Sequence, residues 1–536
     1  YCKQINNQIF PLYNNSIDYW LSEYRDHTII SLTVSEAARI LIVVPVPSIS
    51  HQVVFRPIAQ ELAKRGHEVV IITTDPAFPK GQAPANLTEI DVHDFSYSKW
   101  RAQFLSVTSR GDNDAYVQMR MVFELINEMC IEQIQTPEFQ KRLNDKSKPF
   151  DLLLVESVAR PALALTHVLK VPAIQVSSLG AQIGNYEAIG APVHPILYPQ
   201  FIRYRIFNLT FWEKVSELYL YFKFVYFVYT SEAIENEIIR KAFGPDVPSV
   251  SELLNNVHML FLNVNPIWEG NHPVPPGVVY MGGLHQMPRK ELPQDLKSYL
   301  DSSTNGVVYM SFGTNVKPSL LPGDFVQKFF NVFAKLPYNV LWKWDQDELP
   351  GKPSNVRISK WLPQSDLLRH PNIKVFITQC GLQSTDEAIT AGVPLIGVPM
   401  LGDQWYNAEK YLIHKIGLRL DMETMTEETL HDAIKTAIED KSYVENIRRF
   451  KDLLQDQPMQ PLERVMWWVE YVLRHGGAKH LRAPAANITW AEYLELKFVA
   501  MLLSLVTTIV LFISLIIYYT VKFFRTFIVA VKLKRS

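Results

Sequence analysis

Residues 38–73, ARILIVVPVPSISHQVVFRPIAQELAKRGHEVVIIT, read as strand, turn, helix, strand. Positions 39–46 are mostly apolar, 47–50 hold turn residues, 53–65 have helical periodicity, and 68–73 are rich in β-branched residues. A helix between two strands returns the chain to form a parallel pair, so this is a βαβ unit. The same grammar recurs at 307–312, 325–336, 340–344, 356–358, 373–378, 386–391 and 394–398. The expected fold class is α/β: two Rossmann-like, doubly wound domains facing across a cleft. Pro273-Val274-Pro275-Pro276-Gly277 and then Met281-Gly282-Gly283-Leu284 suit a hinge, which sets the expected domains at 38–284 and 285–490. Ligands bind beyond the carboxyl ends of such strands, so one ligand per sheet predicts a two-substrate enzyme.

Residues 498–521 carry no charge over 24 positions, long enough to cross a hydrocarbon core about 30 Å thick. Lys522, Arg525, Lys532, Lys534 and Arg535 follow without an acidic residue, and positive flanks stay cytosolic. The expectation is a single-pass type I protein: a transmembrane helix at 498–521, a basic cytosolic tail at 522–536, and the remainder lumenal. The terminal Lys532-Leu533-Lys534-Arg535-Ser536 resembles the dilysine retrieval signal of resident endoplasmic reticulum membrane proteins, and a generic basic flank accounts for it equally. Sequons at Asn14, Asn86, Asn208 and Asn487 fit a lumenal glycoprotein. The chain starts at Tyr1, and its first residues lack the three parts of a signal peptide. Residues 1–37 are therefore read as an incomplete or misassigned signal region. Cys2, Cys130 and Cys380 are too few for a disulfide framework. The 53 basic and 54 acidic residues cancel, which argues against a nucleic-acid binder.

From Tyr198 to Tyr229 there are 13 aromatics in 32 residues. Glu213, Lys214, Glu217 and Lys223 interrupt the stretch, so it is not a second span. Three readings stay open: core packing, the lining of an apolar acceptor pocket, and a surface lying against the lumenal leaflet.

The most specific run is Trp361-Leu362-Pro363-Gln364, then Phe376-Ile377-Thr378-Gln379-Cys380-Gly381-Leu382-Gln383-Ser384-Thr385-Asp386-Glu387, then Gly402-Asp403-Gln404. It resembles the signature of the UDP-glycosyltransferases. The resemblance extends over about residues 38 to 525, through Ala38-Arg39-Ile40-Leu41 with Ser50-His51, Ser311-Phe312-Gly313-Thr314, Asp456-Gln457-Pro458-Met459, Trp467-Trp468 and Arg474-His475. The late run and the apolar end look like the animal, membrane-bound branch. Gln379 and Leu382-Gln383-Ser384 look more like insect members than vertebrate ones.

The resemblance implies a GT-B fold and a UDP-sugar as co-substrate, with no cofactor and no metal. It implies that Trp361 and Gln364 hold the uracil and ribose, that Gln379 and Ser384 reach the diphosphate, that Glu387 takes the ribose hydroxyls, and that Asp403 and Gln404 take the sugar's. Ser311, Gly313 and Gly381 join that donor set. The residue types make chemical sense independently: an indole offers a flat face for a base, and a strand-to-helix turn at 379–384 presents free amides and a positive helix end to an anion. Ser384 with Glu387 also reads as a plain capping box. Gln379 replaces the histidine of vertebrate and plant members, and its amide can still donate a hydrogen bond. Cys380 is read as a packing residue.

On the other side, His51 follows the first strand through a turn, which sets an imidazole at the carboxyl edge of the first sheet. Deprotonating an acceptor hydroxyl needs a group that titrates near neutrality, and histidine is the usual one. A neutral histidine base needs its other ring nitrogen held. By resemblance Glu156, at the end of the apolar run 150–156, stands where vertebrate members have a partner aspartate. The expected reaction is one inverting displacement in which His51 takes the acceptor proton and UDP leaves toward the turn at 379–384.

Glucose is expected over glucuronic acid, because insect members generally use it and no Lys or Arg stands in the donor motifs. Phenols, steroids, pigments and plant toxins would suit an aromatic-lined acceptor pocket alike, and a detoxifying role is compatible. A catalytically silent lumenal binder is the rival, since fold does not fix function. A metal-dependent transferase would want an acidic pair at the donor motifs, whereas Asp345-Gln346-Asp347 ends a strand elsewhere. The oligomeric state, homo- or hetero-, is left open.

Overall fold

The computed structural model describes residues 37–108 and 115–534. Asn14, Cys2, the tail residues Arg535 and Ser536, and all but the last residue of the 1–37 segment lie outside the described residues. The first sheet has seven strands, β1 (Arg39–Val44), β2 (Glu68–Thr73), β3 (Leu87–Asp91), β4 (Leu152–Glu156), β5 (Ala173–Ser177), β6 (Val257–Leu262) and β7 (Val278–Tyr280), in the order β3-β2-β1-β4-β5-β6-β7. The second has six, β8 (Val307–Ser311), β9 (Asn339–Lys343), β10 (Val356–Ser359), β11 (Ile373–Thr378), β12 (Leu395–Gly397) and β13 (Gly417–Arg419), in the order β10-β9-β8-β11-β12-β13. Every pairing between these strands is parallel.

The central strands are buried along their whole length, as in β1 and β4, because helices cover both faces. That is why they read as continuous apolar runs and not as alternating ones. In each sheet the order reverses at one place, between β1 and β4 in the first and between β8 and β11 in the second. Connections leave these neighbouring strands toward opposite faces, so a crevice opens at their carboxyl ends. Residues 45–51 and Glu156 stand at the first crevice, Ser311 to Gly313 and Gln379 to Gly381 at the second.

Helix Ile49–Lys64 follows β1 and buries Val54, Phe55, Ile58 and Leu62. Helix Pro461–Arg474, assigned to the second domain by its place in the sequence, turns Val465, Met466, Val469 and Val472 into the same core as Ile40, Ile42 and Val54 of the first sheet's unit. The chain thus returns to its first half after completing the second. Arg65 pairs with Glu470 at 2.8 Å across that contact.

The halves also meet at the cleft itself. Ser48 Oγ donates to Asn315 Oδ1 at 3.2 Å, and Gln383 Nε2 donates to the carbonyls of Ser50 and Ser178, each at 3.2 Å. The aromatic-rich stretch contains a helix, Phe211–Phe243, started by a capping box between Thr210 and Glu213. One of its faces buries Tyr221, Phe224 and Phe227. Its opposite face is exposed, so core packing describes only half of it. Helix Leu496–Leu533 runs for 38 residues, none of them buried, and is long and apolar enough to cross a membrane. Cys130 and Cys380 are both buried and unpaired.

Candidate active site

His51 sits in the first turn of helix Ile49–Lys64. Its Nδ1 lies 3.2 Å from Glu156 Oε1, and the carboxylate is fully buried at the end of β4. Parallel register brings the pair together: Val43 of β1 is opposite Val155 of β4, so the turn after β1 rises beside the last residue of β4. Ser178, just beyond β5, holds Glu156 from the other side. Its hydroxyl lies 2.9 Å from Oε2 and its backbone amide donates to Oε1 at 3.3 Å. A carboxylate with those donors keeps its orientation, and a proton on Nδ1 directed at it would leave Nε2 as the unprotonated ring nitrogen.

The residues of the run 361–404 converge on the second crevice. Gly381 caps helix Leu382–Ala391, so Ser384 lies inside its first turn and the capping-box reading of Ser384 with Glu387 is not realised. Gln364 ties the cluster instead. Its Nε2 donates to Ser384 Oγ at 2.9 Å and to Glu387 Oε2 at 2.7 Å, while its Oε1 accepts from Tyr309 at 2.9 Å. Burial pushes the Glu387 carboxyl up to about 7, against the lowering effect of that Gln364 hydrogen bond. Trp361 is 67% exposed, so its ring face is open to a ligand. Ser311 Oγ accepts from the Gly313 amide at 3.3 Å. Gly313 has φ +74°, a left-handed conformation that favours glycine, and a side chain there would have to displace the end of the Gln379 side chain. Gln379 is buried, with its Oε1 lacking a protein partner.

Asp403 precedes helix Gln404–Ile413. Burial pushes its carboxyl up to about 6, while the Asn407 hydrogen bond and the charge of His51 act in the opposite direction. Gln404 Oε1 accepts from the amides of Met400 and Leu401, both at 2.8 Å. Its carbonyl thus shapes its own loop, and its amide nitrogen is the end that remains for a ligand. Cys380 is fully buried, its thiol pushed up by burial, as a packing residue would be.

Three contributors escaped the sequence reading. Ser178 has no local motif. Asn407 had one faint signal, its i+4 spacing from Asp403 on a helix. Lys343, at the end of β9, donates to the Gly313 carbonyl at 2.8 Å and lies 4.9 Å from the centre of the Trp361 ring. Burial lowers its pKa.

The family model described as UDP-glucoronosyl and UDP-glucosyl transferase matches residues 39–532. The chain belongs to this family. It is 35% identical over 477 residues to the ecdysteroid UDP-glucosyltransferase of Spodoptera littoralis nuclear polyhedrosis virus, covering 86% of this chain and 92% of that protein. It is 29% identical over 483 residues to human UDP-glucuronosyltransferase 2B17, covering 87% and 90%. Among solved structures, the glycotransferase of kitacinnamycin superposes with a TM-score of 0.55 at 19% identity, covering 81% of this chain and 99% of that one. Fold and family agree: this is a UDP-glycosyltransferase, an enzyme that moves a sugar from a UDP-sugar, built as a GT-B pair of parallel sheets.

Proposed function

We propose that this UDP-glycosyltransferase transfers glucose from UDP-glucose to a hydroxyl of a small lipophilic acceptor, with inversion at the anomeric carbon. The observation that carries the reading is the His51–Glu156 contact of 3.2 Å at the first crevice, on the side of the cleft opposite the donor motifs. His51 Nε2 takes the acceptor proton as the acceptor oxygen forms its bond to the anomeric carbon. The bond from that carbon to the diphosphate oxygen breaks, and the pair of electrons leaves with UDP. Glu156 holds the Nδ1–H and stabilises the imidazolium that results. One displacement inverts, so an α-linked donor yields a β-glycoside.

On the donor side, Trp361 and Gln364 take the uracil and ribose, and Glu387 takes the ribose hydroxyls. Ser311, Gly313, Gln379, Gly381 and Ser384 surround the diphosphate, and Asp403 and Gln404 take the sugar hydroxyls. Two considerations favour glucose. The viral relative is named a UDP-glucosyltransferase, although the human one is named for glucuronic acid. A second carboxylate beside the buried Asp403 would also be unfavourable.

The basic residues from Lys522 onward, past the uncharged run 498–521, support a cytosolic tail and lumenal catalytic halves in the endoplasmic reticulum. The test is competition between equimolar UDP-glucose and UDP-glucuronic acid over a panel of phenols and steroids, with products identified by mass. A β-glucoside is expected. Predominant glucuronide would overturn the donor, and UDP binding without any product would favour a silent binder.

A further inference from the structure

We infer that the exposed aromatic face of helix Phe211–Phe243 lies in the headgroup region of the membrane leaflet on the catalytic side, so that the first half of the enzyme is held against lipid as well as tethered to it. The inference rests on the apolar helix Leu496–Leu533 crossing that membrane. Trp212, Val215, Tyr219, Phe222, Tyr226 and Tyr229 follow one another at alternating spacings of three and four, which places them in one row along a helix. All six are exposed, Trp212 at 74% and Tyr229 at 75%. The row extends about 25 Å at a helical rise of about 1.5 Å per residue. Isolated exposed apolar residues need no explanation, but a continuous row of this length marks a surface with a partner.

The chemistry of the row favours lipid over protein. Its aromatics are chiefly tyrosine and tryptophan, amphipathic rings that concentrate where hydrocarbon meets headgroups. Of the four charged residues between Trp212 and Tyr229, Lys214 is exposed and the other three are held by contacts. Glu213 caps the helix at Thr210, Glu217 is buried against Arg203, and the Lys223 ammonium lies 3.8 Å from the centre of the Tyr116 ring.

The membrane entry is also close by. Glu232 Oε1 and Asn236 Oδ1, on the same helix, accept from the amides of Ser251 and Val250 at 3.1 and 2.8 Å. Ser251 in turn accepts at its carbonyl from Asn487 Nδ2 at 2.8 Å. A two-step relay of hydrogen bonds therefore joins the aromatic helix to the stem that leads into the apolar helix at Leu496. Trp490 and Tyr493, both exposed on that stem, have the residue types of an interfacial belt.

The test uses the full chain, reconstituted singly in phosphatidylcholine nanodiscs. Cys2 is replaced by serine, Cys130 and Cys380 stay buried, and one environment-sensitive label is placed at Tyr219→Cys, Tyr226→Cys, Lys297→Cys or Leu505→Cys. UDP binding reports that each variant is folded. Lipids quenching from just below the headgroups should reduce emission at 219 and 226 roughly twofold, because an interfacial helix sits about 5–10 Å deep. Lys297, on the second half, should be unaffected. Quenching at 505 without quenching at either 219 or 226 overturns the inference alone, and absence of quenching at 505 overturns the membrane span on which it rests. Labels at 219 and 226 that become shielded only when two chains share a disc would assign the face to a second copy and also overturn it. The two positions are independent, so a variant that fails to fold leaves the other to decide.

Discussion

Asn407 donates its side-chain amide to Asp403 Oδ2 at 2.7 Å and to the carbonyl of Cys380 at 2.8 Å, while its own Oδ1 accepts from the Trp268 indole at 3.2 Å. One side chain thus fixes Asp403, braces the turn after β11, and fastens the second half to the first. The bond favours the charged carboxylate, yet burial dominates and the carboxyl remains up at about 6, above its ordinary 3.8. Between those values the folded state keeps a proton that the unfolded state has released. The group's contribution to stability is therefore intact below about pH 4 and falls as pH rises through about 6. Asp403→Asn removes this penalty. It should be more stable than the parent near neutrality by up to about 3 kcal/mol and nearly equal at pH 4, while transfer is lost. Thermal midpoints at the two pH values check this, and an offset independent of pH would remove the titration from the account.

Gln364 has the corresponding place for Glu387. With Glu387 accepting from the ribose hydroxyls in its ionised form, UDP affinity should rise as pH passes through about 7, the carboxyl's position in the folded chain. Gln364→Ala deletes a hydrogen bond to that carboxylate, a contribution of about 1.5–3 kcal/mol in typical cases. The midpoint should move upward by roughly one pH unit. Calorimetric titration with UDP on both sides of neutrality reads it, and an unmoved midpoint would mean that Glu387 does not govern donor affinity.

The division of labour between the crevices makes a separate prediction. His51→Ala should slow transfer by roughly a hundredfold to ten-thousandfold, the range for removing a general base, with UDP affinity retained. Glu156→Gln keeps the shape but not the charge, and it should lower the turnover number with little effect on the KM for the donor. Ser178→Ala should act in the same direction more weakly, since one of several donors to the carboxylate is removed. Equal losses of UDP affinity and rate in His51→Ala would merge the two crevices into one function.

Much of this arrangement was legible in the sequence because parallel strands buried on both faces announce themselves as apolar runs. The turn after β1 and the run 361–404 carried their chemistry in consecutive residues. What escaped depends on contacts between distant segments. Ser178 matters only because β5 lies beside β4, and Lys343 only because β9 ends next to Gly313. The return of helix Pro461–Arg474 to the first half follows from which apolar face the second half leaves unfilled, and local periodicity does not encode that. The aromatic stretch is the converse case. Its composition was visible, but only exposure separates the face that packs in the core from the one that does not.

The sequons are not equivalent in the folded chain. Asn86 and Asn208 are exposed, so a glycan on either projects into solvent. Asn487 is committed: its Nδ2 donates to the Ser251 carbonyl at 2.8 Å and to Asn255 Oδ1 at 3.1 Å, with φ +58°. A glycan on that nitrogen would replace one of its two hydrogens and break one of these bonds, and its bulk would separate the stem from residues 251–255. On the proposed lumenal orientation of the catalytic halves, removing N-glycans should increase the mobility of the parent chain. Asn86→Gln should abolish part of that shift, and Asn487→Gln should leave it unchanged. A glycopeptide carrying sugar on Asn487 in active enzyme would show that the stem docks differently and would break the hydrogen-bond relay from the aromatic helix to the membrane.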